Sequence, residues 1–403
     1  MRILHVTREH GTDRRYGIGR SLGPVLAALE ARGHAVRYLT QDEQSERGKA
    51  WQREWTARLG AWGLRLAGPP GQVLSAVWLE RLNMARLAAK VARDWQADVV
   101  HLHDPWMAWG YRWARRFVPG ATARWGFTEH GFGCYSDATG EEGVPYSPRL
   151  LQRHRRIEAG VLARAAFVVC PTQAARAQLA RDLALPELPP HWHAVPHAAP
   201  QLSSWPDRAA ARQHLGWSAE PWQLLAVGRI NPVKRFDLLL QAVIEAARQR
   251  QAHGQLRPLR LTLLGEGDSG PLQQQLQQAG PLPLQLNVQA VADVSPFLHA
   301  ADVYLGTARN ESFGLANLEA LAAGLPALCA AAGGVPEVTG GAAWLLPPQG
   351  DSLLPALTRS LLDLLEQPAL RESLAQAGRR HAASWPDAAA VAARYEEIYR
   401  GLC

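Results

Sequence analysis

Between residues 185 and 206 the chain carries six prolines, Pro186, Pro189, Pro190, Pro196, Pro200 and Pro206. Each proline fixes φ and removes an N–H donor, so this density forbids a helix and interrupts strands. On either side, short apolar runs alternate with longer helix-favouring stretches. The segment therefore predicts a linker between two separate arrays, and 403 residues suffice for two ordinary domains. The expected limits are 1–197 for the first domain and 207–383 for the second.

Residues 3–7 read as a buried strand, 21–32 as a helix stopped at Gly33-His34, and 35–39 as a second strand. Strand, helix, strand at this spacing is a βαβ unit. Strands are expected again at 98–102, 124–128 and 167–169. Beyond the prolines they recur at 224–227, 260–264, 286–288, 303–305, 327–330 and 343–345, with helices over 236–249 and 271–278. The fold class is α/β, with two Rossmann-like halves, and active groups belong on loops at the carboxyl ends of the strands.

The net charge of +7 is unevenly spread: residues 1–200 hold 27 Lys/Arg against 18 Asp/Glu, and the remainder 16 against 18. A basic first half suits an acidic partner such as anionic lipid or a phosphorylated glycan. No helix-turn-helix, zinc-finger or RNP-like signature points to nucleic acid. Cys134, Cys170, Cys329 and Cys403 show no paired spacing, so neither a zinc site nor a disulfide frame is expected, and a cytoplasmic location is the natural one. The N-terminal apolar run is too short for a signal peptide, and no stretch reaches the ~18 apolar residues of a membrane span.

The chemistry concentrates in Asn310 to Gly324. Glu311 precedes a turn, Ser312-Phe313-Gly314, and Glu319 follows within the helix that the turn opens. Helix-start N–H groups between two carboxylates form an anion site, and Gly314 lets a phosphate approach the backbone. A diphosphate with a polyhydroxyl group on each side, a nucleotide sugar, suits this arrangement; two solvated glutamates flanking a surface helix is the other reading. Upstream, Gly228-Arg229 and Lys234 follow a strand and offer two cations that can stabilise a leaving diphosphate.

Glu311 and Glu319 resemble the E-x7-E motif, and Gly228-Arg229 with Lys234 the G-R-x4-K segment, of the retaining glycosyltransferases of family 4 with the GT-B fold (glycosyl transferases group 1). The resemblance implies two Rossmann-like domains facing across a cleft, acceptor site in the first and nucleotide sugar in the second. A final helix, within 384–403, would cross back to the first domain. Glu311 would hold donor-sugar hydroxyls and Glu319 the ribose diol, with Ser312, Phe313, Gly314 and Leu315 around the diphosphate. Val291 would lie in a loop cradling the base. His130, in Thr128-Glu129-His130-Gly131, matches the histidine that contacts the donor sugar. Gly17 and Gly19, in Tyr16-Gly17-Ile18-Gly19, approximate the glycine pair of the loop after the first strand. His197-Ala198 stands where the family commonly has Asn-Gly, which leaves that turn without an assigned role.

His101 and His103 share a strand face, but neither a third ligand at useful spacing nor an Asp-x-Asp motif accompanies them, so no metal is expected. Trp106, Trp109 and Trp113 repeat at helical spacing, which reads as a core stripe rather than a sugar-stacking platform. Trp51, Trp55, Leu59 and Trp62, with Arg53, Arg58 and Arg65 on other faces, fit equally a buried helix and, over residues 49–66, an interfacial helix on anionic lipid. The function implied is transfer of a hexose or N-acetylhexosamine from a nucleoside diphosphate sugar, UDP rather than GDP, to a glycan or lipid-linked acceptor. Transfer would proceed with retention and without metal or any cofactor beyond the donor. The alternatives are an epimerase or phosphorylase on the same scaffold, and a non-catalytic glycan- or lipid-binding relative.

Overall fold

A computed structural model describes residues 1–10, 17–141 and 146–402. Tyr16 lies outside them. The chain divides into two compact units, Met1–Ala198 with Pro386–Cys403, and Ala199–Trp385.

The first unit holds a six-stranded parallel sheet: β1 (Arg2–Val6), β2 (Ala35–Leu39), β3 (Val99–Leu102), β4 (Arg124–Thr128), β5 (Val168–Cys170) and β6 (Trp192–Ala194), in the order β2-β1-β3-β4-β5-β6. The second repeats the plan with β7 (Trp222–Val227), β8 (Leu259–Leu264), β9 (Leu284–Gln289), β10 (Val303–Gly306), β11 (Ala327–Ala330) and β12 (Trp344–Leu346), ordered β12-β11-β10-β7-β8-β9. Parallel strands need crossovers, and helices therefore cover both faces of each sheet. In the first unit one face packs Leu4, Val100 and Phe127 against Met84 and Tyr111. The other packs Ile3, Val99 and Phe167 against Leu29 and Tyr399. Tyr399 belongs to the helix Ala388–Arg400, whose Glu396 accepts from Arg32 Nε at 2.6 Å and lies 3.1 Å from His34 Nε2.

Three features depart from the sequence expectations. Inside the proline-rich stretch, Trp192–Ala194 forms β6 and pairs with β5. The prolines flank these three residues, and an edge strand needs partners on one side only. The helix after β1 begins at Gly17 and runs to Ala31, so Gly17 and Gly19 lie in its first turn and not in a loop. Residues 46–94 are helical except at Gly68, whose φ of 66° and ψ of −162° break the run into two arms. The arms fold back on each other: Ser75 Oγ lies 3.3 Å from the Leu59 carbonyl oxygen. Trp51 packs on Trp55 and under Arg86 of the second arm, whereas Trp62, near the tip, is 62% exposed. Of the later tryptophans, Trp106 is fully buried and Trp113 is 40% exposed. Among the described residues no helix is long and apolar enough to cross a membrane.

Candidate functional site

In the second sheet the strand order reverses between β7 and β10, and the loops leaving those two strands carry the expected site. Such a switch point leaves a crevice at the strand ends that no crossover covers. Arg309 N donates to Val233 O at 2.8 Å and Gly334 N to Glu311 O at 2.8 Å, so the loops after β7, β10 and β11 are tied together. Within this frame Lys234 Nζ lies 2.5 Å from Glu311 Oε2, with both side chains about a fifth to a quarter exposed. The cation and the carboxylate, 77 residues apart in sequence, thus form one ion pair.

Two glycines permit this approach. Gly265, after β8, sits so close to β7 that a Cβ there would overlap the carbonyl oxygen of Gly228. Gly314 caps the helix Leu315–Ala322 at φ 82°, a left-handed conformation, and a Cβ would stand 2.6 Å from Asn317 Nδ2 and 3.2 Å from Glu311 Cγ. Asn317 N bonds back to the Gly314 carbonyl at 2.9 Å. Leu315 and Ala316 supply the helix-start N–H groups beside Glu311 for which the helix itself offers no acceptor.

The other expected donor residues divide by exposure. Arg229 is exposed, Ser312 half-buried, and Glu319 buried at 3% in the second turn of the helix. The Phe313 ring points inward: it is 2% exposed and meets Trp385 edge-on at 5.8 Å. Leu315 packs in the same cluster. Val291 follows β9 and packs beside Leu264 and Tyr304.

Sequence reasoning gave no role to Arg235, and the structure supplies one. At φ 51°, its guanidinium donates to the carbonyls of Thr307 and Pro348, each at 2.8 Å, and of Ala308 at 3.3 Å. Thr307 Oγ1 returns a bond to Lys234 O at 2.9 Å. Arg235 and Thr307 therefore hold the backbones that aim Lys234 and Glu311. The only sequence signal was a second cation directly after Lys234.

Gly17, Gly19 and His130 belong to the first unit. Gly19 N, in the first turn of its helix, donates to Glu9 Oε1 at 2.8 Å, and the same carboxylate accepts from Tyr38 Oη at 2.6 Å. His130 follows β4 and joins a line of histidines. His103 Nδ1 lies 3.0 Å from His130 Nε2, and His5 Nδ1 lies 3.1 Å from His103 Nε2. His101 stacks on His103 and bonds to Tyr399 Oη at 2.6 Å and Thr128 Oγ1 at 2.7 Å. Spacing alone offered no third partner for His101 and His103, whereas register places His5 of β1 directly across from His101. Nitrogens of His5, His101 and His103 lie within 4.8 Å of one another, but both His101 nitrogens are engaged by hydroxyls. Burial brings His5 and His130 down to about 3, the latter also through His197, and holds His101 and His103 well below the usual range. All four rings are neutral at physiological pH.

Two family models match the chain, one described as glycosyl transferases group 1 over residues 207–381 and one as glycosyltransferase family 4 over residues 16–197. The D-inositol 3-phosphate glycosyltransferase of Saccharomonospora viridis is 32% identical over 314 residues, 71% of this chain and 66% of that protein. That of Kineococcus radiotolerans is 33% identical over 213 residues, 48% of each. The matches thus span from half to two thirds of these relatives' length. Among solved structures, sucrose-phosphate synthase of Thermosynechococcus elongatus superposes with a TM-score of 0.70 at 19% identity, over 100% of this chain and 98% of that one. Anabaena Alr3699/HepE in complex with UDP-glucose gives 0.68 at 17%, over the whole of both chains. WaaG, a glycosyltransferase involved in lipopolysaccharide biosynthesis, gives 0.65 at 18%, again over both whole chains. At these identities the likeness concerns the fold, the GT-B class of two Rossmann-like domains.

Proposed function

Because this chain belongs to the glycosyl transferases of group 1, family 4, we propose that it moves a hexose or N-acetylhexosamine from a nucleoside diphosphate sugar to an acceptor hydroxyl. The observation that carries the reading is the Lys234–Glu311 pair at 2.5 Å beside a glycine-capped helix start, with Glu319 one turn further in. Such a site offers a cation and backbone N–H groups to a diphosphate and carboxylates to the hydroxyls on either side. UDP is favoured as the nucleotide, since two of the similar structures hold UDP and UDP-glucose.

In the mechanism we favour, the bond from the anomeric carbon to the diphosphate breaks as the acceptor oxygen forms its own on the same face, giving retention. The departing phosphate oxygen takes the acceptor's proton. Lys234 and Arg229 stabilise the negative charge that grows there, while Glu311 and His130 hold the sugar and Glu319 the ribose. Gly17 brings a backbone N–H toward the substrate's phosphate, whereas the N–H of Gly19 is already held by the Glu9 carboxylate. These residues ask for no metal. The acceptor is a glycan or a lipid-linked molecule, in the synthesis of a glycolipid, lipopolysaccharide or exopolysaccharide on the cytoplasmic side. The exposed Leu59, Trp62, Leu64 and Val73 near the hairpin tip, with Arg58 and Arg65 beside them, support peripheral contact with anionic lipid through residues 49–66.

The test is donor turnover, in chelator and without inorganic phosphate, over UDP-, GDP- and ADP-sugars and lipid-linked or inositol phosphate acceptors, with the product anomer read by NMR. Lys234→Ala and Glu311→Gln are expected to lower turnover by about 100-fold or more, the cost of one lost transition-state contact to charge, with the fold intact. Near-normal turnover in both variants would refute the reading.

A further inference from the structure

The histidine line behind His130 has a direction. A neutral imidazole carries one N–H and one lone pair, so a chain of three rings joined by two hydrogen bonds has only two polarities. In one, His5 donates to His103 and His103 to His130; in the other every bond is reversed. The far end decides between them. Among the described residues, His5 Nε2 is buried and has no hydrogen-bond partner. The reversed chain would put an N–H there, whereas the forward chain leaves a lone pair, and an orphaned buried N–H is the rarer fault. The cavity beside His103 and His130 measures ≈ 10 Å3, about the space of one water.

We propose that His5 and His103 are positioning residues that lock the tautomer of His130: His5 Nδ1–H donates to His103 Nε2, His103 Nδ1–H donates to His130 Nε2, and His130 therefore carries its hydrogen on Nδ1. The geometry is that of the 3.1 Å and 3.0 Å contacts already described. His130 is then a neutral donor at Nδ1 and not a proton acceptor there. Burial of His5 and His103 agrees with this, since charging either ring would disrupt the line. That the donated bond serves glycosyl transfer rests on the function proposed above; the polarity of the chain does not.

The experiment is a long-range 1H–15N spectrum of the full-length protein labelled at histidine, with the His130 signals identified by their loss in His130→Gln. The expected result is hydrogen on Nδ1 of His130 in the wild type. His103→Leu removes the donor, so His130 is expected to shift to the Nε2–H form or a mixture, and kcat to fall about tenfold, the scale of one neutral hydrogen bond. His103→Asn keeps an N–H near the Nδ1 position and is expected to recover both the tautomer and the rate. If His103→Leu does not fold, His5→Leu and His5→Asn make the same comparison one ring further back. Hydrogen on Nε2 of wild-type His130, or a tautomer indifferent to loss of the donors, would overturn the proposal. An Nδ1–H tautomer in a protein that transfers no sugar would support the chain while sinking the reaction.

Discussion

At the scale of single residues, the candidate site depends on Arg235, whose guanidinium hydrogen bonds, among the described residues, all go to backbone carbonyls. Replacing Arg235 with Ala would strand the carbonyls of Thr307, Ala308 and Pro348, at roughly 2 kcal/mol in all once water reaches some of them. We expect a melting temperature lower by several degrees and turnover lowered together with it, both readable on one purified variant. Glu158 carries a separate prediction about stability. Trp106 Nε1 and Ser136 N donate to it at 2.9 Å each, and Ser136 Oγ also bonds to it, yet burial pushes its carboxyl up to about 7. A carboxyl raised in the folded state contributes stability fully below its unfolded value near 4.5, and that contribution is lost as pH rises through 7. Glu158→Gln should therefore gain on the wild type in urea titrations at pH 8 relative to pH 4.5, by about 1–3 kcal/mol. An unchanged difference between the two pH values would contradict the assignment. Lys234 and Glu311 were legible in the sequence because each follows a strand end with turn residues around it. Arg235 was not, since its neighbours in sequence say nothing of the carbonyls that its guanidinium meets. His5 stayed hidden for a related reason: 98 residues separate it from His103, and only strand register unites them.

At the scale of elements, apolar runs and glycine or proline stops located most strands, because buried parallel strands are short and continuously hydrophobic. The exceptions follow from local chemistry. Three residues between prolines are too few to look like a strand, so β6 was absorbed into the linker. The break at Gly68 sits among Gly and Pro residues that signal a turn, yet the tryptophan stripe before it could be read as core or as interface. The structure gives each reading its own part: Trp51 is covered by Arg86, and Trp62 is exposed. Phe313 was read with the ligand-facing turn, but a turn preceding a buried helix sends alternate side chains inward, and its ring fills the space beside Trp385. The loops after β7 and β8 touch backbone to backbone at Gly228 and Gly265. Gly265→Ala should force them apart and reduce donor affinity by an order of magnitude or more, with a stability loss of about 1–3 kcal/mol; calorimetric titration with nucleotide beside thermal unfolding would measure both. Wild-type affinity in that variant would mean the contact is incidental.

At the scale of the whole molecule, the two sheets are independent hydrophobic assemblies, each with helices on both faces. The first is completed by the helix Ala388–Arg400, which buries Val391, Ala392, Tyr395 and Tyr399 and brings Glu396 to Arg32 and His34. Truncation after residue 385 is expected to destabilise the first unit selectively, with the second still unfolding near its original midpoint. Tryptophan emission or hydrogen exchange resolved by segment would distinguish this from a uniform loss of protection across both units.

The return of the chain to its first unit also bears on the order in which the protein can be made. The second unit is one uninterrupted stretch, Ala199–Trp385, and every residue of its core is available once that stretch has left the ribosome. The first unit begins earlier but waits for its closing helix. Until the helix Ala388–Arg400 has been synthesised, the apolar surface around Ile3, Leu29 and Phe167 lacks its cover. Of the two units, the one begun earlier is thus completed later, and a nascent-chain chaperone would find a long-lived substrate there.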